Sequence, residues 1–562
     1  MTEEDIKKII EKAIHKKYRN FNGRENHGTI IFVEKPKDST HGDYFTNIAF
    51  ELAKILKKNP NEIALTLKNE IAKSPVFKNV EIVGGFINFF INDKFFYENI
   101  KKIQKEKGKF GTNQLLKNKK VIVEYTDANI LKEFHIGHLM SNAIGESLSR
   151  MLEFQGAKVK RANYQGDVGM HVAKAIWGKL KHPNQSWQYA YVAGSGAYDE
   201  DEILKQEIVE LNKKIYDKSD KKLTALCQKG KKESLKEFEK IYKKLGTKFD
   251  YYFFESEVWE LGKKLVENGL QKGIFEKGEK GAIIFKGEKF GLHTRVFINS
   301  EGLPTYEAKE LALAKEKYKK YAYDLSVVIT GNEINEYFKV LMVAMGEIFP
   351  DLAKKTKHIG HGMMRLPEGK MSSRTGRVVT AESLFSAIEA LALEKIKDRD
   401  LYKKEKHHIK EAVAVAAVKY SILKQSIGSD IVYDIEKSVS FQGDAGPYLQ
   451  YSLARAISVS SKAKKENVKA SLKKVPDHVD DLVKHLYYFP EIVKKAGEEF
   501  EPHYLTLYLT ELSSLFNNYY ARHKIVDKDD VFSPYKVALT EAFSNVMVNG
   551  LWLLGINHLV RM

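Results

Sequence analysis

Two short stretches hold residue types whose spacing points to chemistry on phosphate. The first, Phe134-His135-Ile136-Gly137-His138, follows a strand-like apolar run and its loop and stands just before a helical pattern. Two imidazoles three residues apart, with a glycine between them, allow a phosphate to approach closely, and a helix N-terminus adds backbone N–H groups and positive dipole. Taken alone, the same residues are equally well explained as a helix cap or as surface histidines. A zinc site is the weaker reading, because no third ligand stands at a suitable spacing. The second stretch, residues 369–376 (GKMSSRTG), is a glycine-bounded loop carrying Lys370, Ser372, Ser373 and Arg374. Its cations could follow negative charge as it develops on a transferring phosphate group, and the glycines would let the loop close. A solvated charged loop is the alternative here. Both stretches together, in this order across one βα-patterned domain, are far less expected by chance.

The surrounding pattern supplies elements to position them. Apolar runs over 121–125, 159–164 and 326–330 read as strands and 139–154 as a helix, a βαβ rhythm that predicts a parallel sheet. A lysine-rich helical stretch near 204–248 interrupts it, within an insertion expected over about 172–248. Upstream there is a helical start, turn chemistry around Gly42, a helix over 44–58 and strands over 80–91 (VEIVGGFINFFI) about a Gly84-Gly85 turn, with a linker over 101–109. Beyond about residue 386 strands disappear and long helical patterns such as 408–425 and 448–462 take over. The expected fold is α/β. A Rossmann-like parallel-sheet domain is expected over 111–385, with an α+β domain over 1–110 and an all-α bundle over 386–562.

Composition bounds the partners. A chain of 562 residues, 43% hydrophobic and 30% charged, is globular and long enough for several domains. A single cysteine, Cys227, excludes a disulfide framework and a thiolate-rich metal centre, and fits the reducing cytoplasm. No run of 18 apolar residues occurs, so no membrane span is expected. The formal charge of +18 favours a polyanion such as nucleic acid, although lysine-rich solubility explains it as well.

The two motifs resemble those of the class I aminoacyl-tRNA synthetases, H-I-G-H and K-M-S-K-S; the first match is literal and the second departs, reading K-M-S-S-R. The resemblance narrows to the arginyl-tRNA synthetases through residues 124–138 (EYTDANILKEFHIGH), Gly166-Asp167-Val168-Gly169, Phe249-Asp250 with Glu255-Ser256, and Pro304-Thr305-Tyr306 with Glu310. Gly42-Asp43-Tyr44 near the start and residues 444–455 (DAGPYLQYSLAR) and 554–562 near the end are similar too.

That resemblance implies an enzyme that joins arginine to ATP as an adenylate, with Mg²⁺ accompanying the ATP, and passes the arginyl group to the 3′ end of a tRNA. It implies catalytic roles for His135, His138, Lys370 and Arg374, and ATP contacts from Lys132, Gly137, His361, Met363, Ser372 and Ser373. Glu124 and Asn129 would address the α-amino and carboxylate end of arginine, and Glu255 and Glu310 its guanidinium, with Tyr306 one helical turn away. Asn332 and Glu333 fall where relatives often carry Gln, and Glu310 stands where the family usually has Asp. Tyr448, Gln450, Tyr451 and Arg455 would lie near the anticodon arm, with core packing as their alternative. The N-terminal domain is expected to touch the tRNA corner, and the enzyme to be a cytoplasmic monomer. A non-catalytic tRNA-binding paralogue is the rival reading, disfavoured by intact His135, His138 and Lys370.

Overall fold

The computed structural model describes residues 3–18, 31–367, 379–398 and 402–562. Contacts divide the chain into two units, one of Met1–Gly111, Ala456–Ile492 and Ser514–Val546, the other of Thr112–Arg455, Val493–Ser513 and Met547–Met562. The helices after residue 386 thus belong in part to each unit. Among the described residues no helix is long and apolar enough to cross a membrane.

In the first unit, Tyr44–Thr46, Phe86–Ile91 and Phe77–Val83 form an antiparallel sheet with Phe86–Ile91 in the middle. Gly84 and Gly85 both have positive φ (58° and 91°), as a two-residue hairpin turn between right-twisted strands requires. The helix expected over 44–58 begins later, at Ile48, because Tyr44, Phe45 and Thr46 pair with Phe89, Asn88 and Ile87. Pro60 opens the helix Pro60–Ile71, with the Asn59 side chain accepting from the Asn61 N–H. Ile48, Leu52, Ile63, Leu67, Ile87 and Phe89 are wholly buried and make the small core. The Tyr44 hydroxyl donates to Glu491 at 2.7 Å and Lys484 pairs with Asp43 at 3.2 Å, so residues 481–492 are tied to this sheet.

The second unit is built on five parallel strands: β1 (Lys120–Glu124), β2 (Lys158–Gln165), β3 (Tyr251–Phe254), β4 (Leu325–Gly331) and β5 (Thr356–His361), in the order β5-β4-β1-β2-β3. Val121, Ile122 and Val123 are all buried, the continuous apolar run of a strand covered on both faces. Helix α1 (Ile136–Phe154) follows β1, α2 (Glu255–Gln271) follows β3, α3 (Tyr306–Lys320) precedes β4, and α4 (Asn335–Ile348) joins β4 to β5. The lysine-rich insertion is four helices between β2 and β3: Met170–Lys181, Trp187–Glu200, Glu202–Asp217 and Lys221–Leu245. Strand order reverses between β1 and β4, and a crevice opens there beyond the carboxyl ends of the strands, where open α/β sheets take their ligands.

Several elements carried no strand signal. The edge strand β5 reads Thr-Lys-His-Ile-Gly-His, polar because little of it is fully buried. A three-stranded antiparallel sheet (Glu276–Lys277, Ile283–Phe285, Arg295–Ile298) lies between α2 and α3. Strands were expected to cease after residue 386, but Ile431–Val432 pairs with Met364–Arg365, two residues being too few to leave a pattern.

Candidate active site

The crevice is a cavity of about 650 Å³ lined from all five strand ends: Glu124 of β1, Tyr164 of β2, Glu255 just after β3, Gly331 of β4 and His361 of β5. The loop that leaves β1 is held in costly backbone conformations, with φ of 84° at Thr126, 45° at Asp127 and 66° at Leu131. Hydrogen bonds fix it: the Thr126 N–H donates to Ser141 Oγ at 2.9 Å, the Tyr164 N–H to Asp127 Oδ1 at 2.8 Å, and the Leu131 N–H to Ser234 Oγ at 3.0 Å. Such a loop is rigid when it delivers the next residues.

Those residues are the histidine motif, and it caps its own helix. His135 Nδ1 accepts from the Gly137 N–H and the His135 N–H donates to His138 Nδ1, both at 3.2 Å, while the two rings stack 3.7 Å apart. A Cβ on Gly137 would lie 3.0 Å from the His135 ring, so the glycine makes room for the imidazole itself. Because each Nδ1 accepts, each ring proton sits on Nε2. Burial and the nearby Lys132 push His135 down to about 4, and burial, His135, Lys132 and His361 hold His138 well below the usual histidine range. Both rings are therefore neutral N–H donors near pH 7. They are caps and cavity wall at once.

Across the cavity lie the acids. Glu124 is buried and paired with Lys317 at 2.7 Å, and Glu255 is buried and paired with Lys309 at 2.5 Å. Glu307 is paired with Arg295 at 2.8 Å. Glu310 lines the same wall and has no hydrogen bond or ion pair among the described residues. Burial and the charges of Glu124 and Glu255 push its carboxyl up to about 8, against the pull of Lys317 and Lys309. Asp127 is pushed well up by burial and Glu124. A cation entering this wall meets Glu310 beside two carboxylates that already have counter-charges, Glu124 and Glu255.

Of the other residues singled out from the sequence, Asn129, Tyr306, Glu333, His361 and Met363 line the cavity, and Lys132 and Asn332 do not. Lys132 lies over the Tyr191 ring of the insertion, 4.5 Å from its centroid. His361 Nδ1 bonds the Gly362 carbonyl at 2.7 Å, and the Met363 N–H donates to Asp430 at 2.8 Å. Lys370, Ser372, Ser373 and Arg374 lie outside the described residues. The chain just after them is joined to the motif, the Ala381 N–H donating to the Phe134 carbonyl at 2.8 Å. The sequence reading missed Tyr337, Arg295, Lys309 and Lys317. Only the two lysines left a signal, one adjacent to Glu310 and one seven residues on, at helical spacing on its face.

Three family models match the chain: the catalytic domain of class I tRNA synthetases (R) over residues 99–435, the DALR anticodon binding domain over 449–562, and the arginyl tRNA synthetase N terminal domain over 4–91. The chain belongs to the arginyl-tRNA synthetase family. An arginine–tRNA ligase of Clostridium perfringens is 32% identical over 548 residues, covering 94% of this chain and 96% of that relative. One from Borrelia hermsii is 29% identical with 99% of each covered. The fold is shared with the arginyl-tRNA synthetase of Thermus thermophilus (TM-score 0.78, 21% identity, 100% of both chains) and with that of Plasmodium falciparum (TM-score 0.77, 20% identity, 100% of this chain and 99% of that one). In this family member the segment matched by the anticodon-binding model begins within the helix Gly446–Lys465, which carries the four residues expected to meet tRNA. Gln450 is wholly buried, and its amide donates to the Ala412 and Asn557 carbonyls at 3.2 and 2.7 Å, the core-packing alternative stated for it from the sequence. Tyr448, Tyr451 and Arg455 are partly exposed, and Arg455 donates to the Tyr451 hydroxyl at 2.8 Å with its guanidinium over that ring.

Proposed function

We propose that this chain is an arginine–tRNA ligase, which forms arginyl-adenylate and pyrophosphate from arginine and ATP and then transfers the arginyl group to the 3′-terminal ribose of its tRNA. The observation that carries this reading is Glu310, a carboxylate without a cation facing a cavity whose other wall is the paired histidine motif. A guanidinium supplies the missing charge with a fork of donors that matches a carboxylate edge. Tyr306 on the rim offers a flat face, and Asn129 a polar group for the amino-acid end. Glu124 and Glu255, both already paired with lysines, act mainly by shaping and charging the wall around Glu310.

The α-phosphate of ATP lies against the start of α1, where the Nε2–H groups of His135 and His138 and the helix N-terminus meet oxygens that gain charge as the arginine carboxylate attacks and pyrophosphate leaves. His361 and Met363 pass the adenine. Lys370 and Arg374, with Ser372 and Ser373, follow the leaving pyrophosphate, as the family motif implies. The donors that the histidine motif has to offer are the imidazole Nε2–H groups, since the Ile136, Gly137 and His138 N–H groups already donate to Val379 and His135; such donors suit phosphate oxygens and not a cation, so Mg²⁺ would come held by ATP itself. The C-terminal helices carry the anticodon-arm contacts, with Tyr451 and Arg455 as the stacking and phosphate-binding pair, and the N-terminal unit touches the tRNA corner. The enzyme works as a cytoplasmic monomer.

Pyrophosphate exchange with each of the 20 amino acids, with and without tRNA, tests the reading. Exchange that depends on arginine alone among the amino acids is expected. Exchange with another amino acid, or none with any, refutes it.

A further inference from the structure

Of the three glutamates that face the guanidinium end, Glu124 and Glu255 are paired with lysines and Glu310 is not. Both internal cations come from its own helix. Lys309 precedes it and takes Glu255, and Lys317 lies seven residues on, near the same face, and takes Glu124. Lys317 is 3% exposed and does not line the cavity, so it touches no substrate and acts only through its partner.

The groups that face Glu310 come from every surrounding element: Glu124 from β1, Asp127 from the strained loop, Tyr164 from β2, Glu255 at the start of α2, Tyr337 from α4, and Lys309 and Lys317 from α3. Three of these seven are carboxyl groups and two are tyrosines, so the two lysines alone oppose negative charge around Glu310. With Lys317 present, the charge of Glu124 toward Glu310 is partly offset. Without it, the uncompensated charge of Glu124 would hold the proton on Glu310 to a still higher pH.

We propose that Lys317 is a positioning residue for amino-acid selection: by offsetting the charge of Glu124 it lets Glu310, the acid of α3 that has no ion pair of its own, ionise to meet a guanidinium. The proposal rests on the arginine reading and adds the residue that sets the pocket's net charge.

The test is the pH profile of arginine kcat/KM in tRNA-supplemented pyrophosphate exchange. In Lys317→Met the midpoint of the acidic limb should move up by about one pH unit or more, because Glu124 is uncompensated. Lys317→Arg should restore it, and Glu124→Gln/Lys317→Met should also bring it back whatever the rate, since the charge at position 124 is gone as well. Glu124→Gln alone, which frees the Lys317 cation, should move the midpoint down, and this variant decides the matter if Lys317→Met does not fold. The ATP KM of both Lys317 variants should stay at the wild-type value. A midpoint that stays fixed while rates fall at every pH marks a merely structural ion pair and overturns the proposal. Wild-type enzyme with no arginine-dependent exchange is a different failure, visible before any variant is made, and takes the arginine reading down with it.

Discussion

Replacing Glu310 by Gln removes one charge from the pocket and almost no volume. If the guanidinium pairs there, losing its carboxylate costs about 3–5 kcal/mol, the range for breaking a pair shielded from water. An exposed pair would cost about 0–1 kcal/mol. The structure places Glu310 between these limits in exposure, and burial together with the charges of Glu124 and Glu255 raises its carboxyl to about 8. At pH 7 the ligand-free carboxyl is therefore about nine-tenths protonated, and binding a cation must first expel that proton at a cost of about 1.4 kcal/mol. Arginine affinity in the wild type therefore rises with pH until about 8 and then levels. Glu310→Gln, which has no proton to lose, should show no such rise. The substitution should lower arginine kcat/KM by roughly 10²- to 10⁴-fold at pH 9, and about tenfold less at pH 7, with ATP KM little changed. Exchange kinetics at the two pH values, with calorimetric titration of arginine, measure both quantities. Glu310→Asp, one methylene shorter, should keep measurable activity if the backbone sits as in relatives that carry Asp. Equal arginine kinetics and an equal pH profile in the Gln variant would refute the reasoning.

His138→Ala should cut adenylate formation roughly 10²-fold by removing a donor at the phosphates, and Gly137→Ala should do comparable damage by pushing a Cβ to 3.0 Å from the His135 ring; single-turnover kinetics with unchanged unfolding temperature check both. Lys419, buried with its ammonium donating to the Leu245 and Gly555 carbonyls, is pushed by burial down to about 7. The native chain therefore binds fewer protons than the unfolded chain between about 7 and 10.5, and thermal unfolding should show wild type gaining on Lys419→Met as pH rises through that window. Burial pushes Glu491 up to about 7, so the native state holds an extra proton between about 4.5 and 7 and stability from this group falls as pH rises across it. Glu491→Gln should accordingly unfold at a higher temperature than wild type at pH 8, and a lower one would contradict the assignment.

The sheet's central rhythm and the start of α1 are legible in the residues alone. Residues 121–125 and 326–330 announce themselves because central parallel strands must be apolar on both faces, and the helix after Gly137 because its cap is written in adjacent residues. The polar edge strand Thr356–His361, the short Ile431–Val432 and the small sheet before α3 left no such mark, since an edge or a two-residue strand needs no apolar pattern. The family resemblance joined Glu255 and Glu310 to His135 and His138 without saying what each meets. Tertiary structure decided that. Glu255 and Glu310 look alike in sequence, but the first is satisfied by Lys309 and the second is not, because α3 turns one lysine toward α2 and another toward β1. Gln450 reads as a polar helix residue and is wholly buried, its amide held by carbonyls from chain segments far away in sequence. A carboxylate's partner, and so its charge, is fixed by chains brought together only on folding, and no local pattern encodes that distance.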